Sequence, residues 1–102
     1  MGDTILSSEQ SDAAVVRIHN KKKAVAITCD CNPIYCKSDP KIGAEIAVAE
    51  SWRNLIASGA KPIAITDNLN FGNPEKLEIM HEIKEAIKGI KRACEKLDYP
   101  VV

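Results

Sequence analysis

Residues 60–75, A-K-P-I-A-I-T-D-N-L-N-F-G-N-P-E, decide how this chain is read. A short apolar run at 63–65 stops at Thr66-Asp67, and three asparagines, a phenylalanine, a glycine and a proline follow before a long amphipathic pattern. An acid at the exit of a buried strand, with an amide-rich loop after it, is a common way to build a ligand site in an open α/β sheet. Residues 62–66 are therefore expected as a strand, with Asp67 at its mouth. Beyond it, Asn73 is placed to cap a helix and Pro74 to occupy its first position. That helix is expected over 74–96, with Ile79, Met80, Ile83, Ile87, Ile90, Cys94 and Leu97 forming one apolar stripe. Residues 98–102 read as a turn entering a fourth strand.

Upstream, residues 13–18 (A-A-V-V-R-I) and 24–29 (A-V-A-I-T-C) read as two strands paired as a hairpin, with a loop longer than two residues. Residues 30–43 hold two prolines, two aspartates and a glycine and read as an irregular loop, with Asp30 at a strand exit. Residues 44–58 are expected to be helical and Gly59 to stop the helix. One face carries Val48, Ala49, Trp52, Leu55 and Ile56. The other carries short side chains and no lysine, and Glu50 and Asn54 lie four apart on it, so both project together. They are read as a candidate polar pair on a packed or liganded surface, against ordinary helix surface. Residues 1–12 are polar and are expected to form a flexible arm. The fold class is α/β with α+β character. A mixed or antiparallel sheet of about four strands carries two main helices on one face, and residues 13–102 form one partial domain. A chain that stops inside an apolar run is expected to be a fragment, its sheet completed by more chain or a second copy.

Composition narrows the chemistry. The chain has 102 residues, enough for one small core, and Lys+Arg and Asp+Glu are both 14. That balance gives no basic field to draw in nucleic acid, and four aromatic residues make a poor base-stacking platform. No run approaches the ~18 apolar residues of a membrane span, and the N-terminus lacks the pattern of a secretion signal, so a cytoplasmic location is expected. Cys29, Cys31 and Cys36 do not follow the usual C-x-x-C spacing. A small cysteine metal site is one reading. The favoured one makes Cys29 and Cys94 small core residues. Neither His19 nor His81 belongs to a segment linked to these thiols, so no nucleophilic catalyst is identified.

Four polar groups lie near expected element ends: Asp30, Glu50, Asn54 and Asp67. Oxygen ligands of this kind suit Mg²⁺ shared with phosphates. The chain contains no Walker loop and no G-x-G-x-x-G.

Residues 28–33 (T-C-D-C-N-P), 41–62 (K-I-G-A-E-I-A-V-A-E-S-W-R-N-L-I-A-S-G-A-K-P) and 65–76 (I-T-D-N-L-N-F-G-N-P-E-K) closely resemble phosphoribosylformylglycinamidine synthase, within the N-terminal module of the second of its two halves. The resemblance implies an aminoimidazole ribonucleotide synthetase-like α/β module that pairs with a similar one into a barrel-like core. It implies a ligase that uses ATP, formylglycinamide ribonucleotide and ammonia from a glutaminase component, giving formylglycinamidine ribonucleotide, ADP and phosphate, with Mg²⁺ on the phosphates. On this resemblance Asp67 is a nucleotide contact, with Asn68, Asn70, Asp30 and Asn32 as further cofactor-binding candidates. Glu50 and Asn54 fall at positions that help form the metal face of the first half. The family's catalytic histidine and main substrate loops have no counterpart in these 102 residues. The isolated chain is therefore expected to be inactive, or to be an assembly module with a vestigial nucleotide site.

Overall fold

Two short apolar runs, Ala14–Arg17 and Ala24–Ile27, form strands, here β2 and β3, that pair antiparallel in the register Ala14 with Ile27, Val15 with Ala26, Val16 with Val25 and Arg17 with Ala24. In the computed structural model, which describes residues 2–7 and 9–102, these are the centre and one edge of a three-stranded sheet. The hairpin loop is indeed longer than two residues: Ile18 N–H donates to the Lys23 carbonyl at 3.0 Å, and Asn20 takes a left-handed φ of 57°. Asparagine tolerates that conformation better than most residues.

The other edge corrects an expectation. Residues 4–6, read as part of a flexible arm, form the strand β1 (Thr4–Leu6), antiparallel to β2. Its Thr-Ile-Leu sequence is too short to show a period but suits a strand, and β2 offers it a free edge. Arg17 N–H donates to the Asp3 carbonyl at 2.8 Å, and His19 Nε2 lies 3.0 Å from an Asp3 carboxylate oxygen. Met1 and Ser8 of the expected arm lie outside the described residues.

The chain divides into two compact units. The first contains the sheet, the residues up to Asp30, and Glu50–Pro62. Ala13, Ser51 and Leu55 are buried in it. It includes the end of α2 (Pro40–Ala57), which closes as expected at Gly59. Gly59 has φ 86° and donates to Ile56, while Ala60 donates to Leu55, both through the backbone. This paired closure needs a left-handed residue, which glycine supplies without a Cβ penalty.

The second unit comprises Cys31–Ala49 and Ile63–Val102. Its first element corrects the loop expected at 30–43. Pro33–Ser38 is a short helix, α1, capped by Asn32, whose side-chain oxygen accepts from the N–H groups of Ile34 and Tyr35. Prolines suggest a loop, yet asparagine at the cap and proline at the first helical position also start a helix. At Asn73-Pro74 the reverse holds. Asn73 accepts from Glu75 N–H in a turn, and the helix α3 begins only at Leu77 and runs to Leu97. The expected strands at 62–66 and 99–102 reduce to a single parallel bridge between Ile65 and Val101.

Within this unit Gly89 of α3 lies against the start of α2. Ala86, Gly89, Ala93 and Cys94 are the buried positions of α3, whereas Met80 and Ile87 of the expected stripe are about half exposed. A Cβ built on Gly89 would lie 2.1 Å from the Lys41 carbonyl oxygen and 3.2 Å from the Ala44 Cβ. Gly89→Ala should therefore destabilise the chain by about 1–3 kcal/mol, as overpacking does. At an open helix position the same change gains roughly 1 kcal/mol. Urea denaturation of the two proteins gives the sign.

Candidate functional site

In the second unit, Asp67 follows the bridge that ties Ile65 to Val101. Ile65 N–H donates to the Pro100 carbonyl at 2.9 Å and Val102 N–H to the Ile65 carbonyl at 3.0 Å, which fixes where the 66–73 loop departs. The far anchor is the end of α3. Asp98 takes a left-handed φ of 49°, and its N–H returns to the Cys94 carbonyl, as does that of the buried Tyr99.

Asp67 is exposed and borders an open cleft of about 270 Å³ whose other walls are Ile87, Ile90, Lys91, Cys94, Glu95 and Val101. Aliphatic side chains dominate these walls, with two carboxylates and one ammonium among them. The negative charge of Asp67 reaches Cys94. Burial raises that thiol above its ordinary range, and the aspartate raises it further. Asn68 and Asn70 follow on the exposed loop, where the Asn70 side-chain amide donates to the Asn68 carbonyl at 3.2 Å. Sequence reasoning singled out Asp67 at the end of an expected strand that the structure reduces to the Ile65–Val101 bridge. Lys91 and Glu95, which also border the cleft, were not among the sequence candidates.

The remaining candidates have other neighbours. In the first unit, Asp30 accepts from the Asn54 side-chain amide at 2.8 Å through one oxygen and from the Thr28 hydroxyl at 2.6 Å through the other. Asn54, expected to act with Glu50, is thus oriented by Asp30 instead. The helical spacing was right, but the stronger partner is a carboxylate from the end of a strand. Asn32 is occupied as the cap of α1. Cys29, expected in the core, is exposed, because the strand ends at Ile27 before reaching it. Among the described residues, no group of three or more His, Cys, Asp or Glu side chains is arranged to hold a metal ion.

Comparison with known proteins places the chain. The family model for the AIR synthase related protein, N-terminal domain, matches residues 10–102. The chain belongs to that family. It is also similar to segments of proteins named phosphoribosylformylglycinamidine synthase subunit PurL. Identity is 55% over 99% of this chain in Acidiphilium cryptum, 57% over its full length in Azorhizobium caulinodans, and 63% over 89% of it in Thermoanaerobacter sp.. The chain spans only 14% of the first two relatives and 12% of the third. This AIR synthase related module is a mixed α/β structure with three antiparallel strands and three helices among its described residues. No helix among them is long and apolar enough to cross a membrane.

The Asp30 contacts separate a structural from a ligand role. Asp30→Ala leaves the half-buried Asn54 amide without its acceptor and should cost about 1–3 kcal/mol in urea denaturation. Unchanged stability with altered nucleotide binding would assign Asp30 to a ligand instead.

Proposed function

We propose that this AIR synthase related chain is a module of a phosphoribosylformylglycinamidine synthase, from the start of its second half. The observation that carries this reading is identity of 55–63% to synthase subunits over nearly the whole chain. The reaction of such an enzyme would use ATP to phosphorylate the amide oxygen of formylglycinamide ribonucleotide. Ammonia from a glutaminase component would then displace that phosphate, leaving formylglycinamidine ribonucleotide, ADP and phosphate. ATP, Mg²⁺, a glutaminase partner and a cytoplasmic setting all belong to this proposal.

The contribution of this chain is one wall of a nucleotide site. Asp67 stands exposed beside an aliphatic cleft, which suits a ligand with an apolar ring face and polar substituents, and Asn68 and Asn70 add hydrogen-bonding groups on the adjoining loop. Glu50 and Asn54 would serve a metal only together with donors from elsewhere in a synthase. A second reading, an assembly module with a vestigial nucleotide site, draws support from Asp30, Asn32 and Asn54, each of which hydrogen-bonds within the protein itself.

Two measurements test these readings. The purified 102-residue chain, given ATP, formylglycinamide ribonucleotide, ammonia and Mg²⁺, is expected to show no turnover. Sustained product formation overturns its assignment as one part of a larger site. In calorimetric titration with Mg-ADP, weak binding is expected, and Asp67→Ala should weaken it about tenfold, or ~1.4 kcal/mol. No binding to either protein would leave the assembly role.

A further inference from the structure

The four cysteines are free thiols in three different situations. Cys94 is buried on α3, and Cys29 is exposed in the first unit. Cys31 and Cys36 form a pair. Cys31 stands immediately before the Asn32 cap of α1, and Cys36 is the fourth residue of that helix. Residues at these two positions face each other across the first turn, in the arrangement by which an apolar pair pins a chain to the start of a helix. Here the pinning pair is two thiols.

The turn between them is firmly built. Asn32 accepts from Ile34 and Tyr35 through its side chain and from Cys36 N–H, at 3.1 Å, through its backbone carbonyl. The Cys36 backbone lies under α2, where a Cβ on Gly43 would come within 2.5 Å of its Cα. Cys31 is exposed and Cys36 half-buried. Burial, and then the neighbouring Cys31, hold the Cys36 thiol above its ordinary range.

We propose that Cys31 and Cys36 form a reversible disulfide across the first turn of α1 by exchange with a small-molecule disulfide such as oxidised glutathione. The exposed Cys31 thiolate attacks one sulfur of that disulfide. The S–S bond breaks, one glutathione leaves as thiolate, and a mixed disulfide remains on Cys31. Cys36 loses its proton to solvent and attacks the Cys31 sulfur, releasing the second glutathione as the protein disulfide forms. Two protein thiols are oxidised, and one glutathione disulfide is reduced to two thiols. Exposure assigns Cys31 the attacking role, and the raised Cys36 thiol takes the closing one.

The test treats the purified chain with oxidised glutathione, alkylates the remaining thiols, and locates the bridge by mass spectrometry. Two of the four thiols should be protected, the bridge should join Cys31 to Cys36, and dithiothreitol should restore all four. Cys29→Ser should behave like the parent chain, and Cys36→Ser should stop at the mixed disulfide on Cys31. In urea, where the capped turn is lost, the preference for this pairing over pairings with Cys29 should disappear. A bridge through Cys29 or Cys94, a mixed disulfide that persists in the parent chain, or no reaction at Cys31 overturns the proposal. Equal selectivity in urea also overturns it, because sequence spacing rather than the folded turn would then select the pair.

Discussion

The second unit depends on the approach of Gly89 to the Lys41 carbonyl, where no side chain fits. It accounts for burial at the small residues Ala86, Gly89 and Ala93 of α3, whereas Met80 and Ile87 stay about half exposed. Small residues at a helix contact let the two backbones come close, and the bulky positions then fall to the sides of the contact. Ile87 and Ile90, displaced in this way, become walls of the cleft beside Asp67. The Arg92 guanidinium, 3.5 Å from Glu45, joins the same two elements at the surface, where an exposed ion pair adds little. The cleft is thus a by-product of how the helices pack, and Asp67 gives it polarity.

The elements legible in the sequence were those specified by a local rule. The β2–β3 hairpin followed from two short apolar runs separated by a polar turn, and the closure of α2 from a single glycine at the required left-handed position. What escaped depended on tertiary context. The same Asn-Pro pair begins a helix at Asn32-Pro33 and only a turn at Asn73-Pro74. The first is backed by the tight contact of Gly43 against Cys36, whereas residues 73–76 are all exposed. A cap signal states that a helix can start, and packing decides whether it does. The apolar stripe of α3 misled for a related reason. Periodicity weights large side chains, and the contact here selects the absence of one.

The site was partly legible by the same logic. Asp67 was picked out because an apolar run ending at Thr66-Asp67 is a local feature, although the expected strand there reduces to the Ile65–Val101 bridge. The Thr28–Asp30–Asn54 network was not, because its members come from a strand end and from a helix more than twenty residues later. Helical spacing correctly placed Glu50 and Asn54 on one side of α2 but could not say that a carboxylate from elsewhere would claim the amide. Resemblance covered what pattern could not, since residues 10–102 match the AIR synthase related N-terminal domain.

The single bridge between Ile65 and Val101 joins positions separated by the whole of α3. A contact so distant along the chain repays its loop-closure entropy only after the intervening helix has formed and docked. The mouth of the cleft is therefore expected to be among the last features to organise during refolding and among the first to open. Such late structure lies at the low-stability end of a protein, where segments that must admit and release a ligand are found.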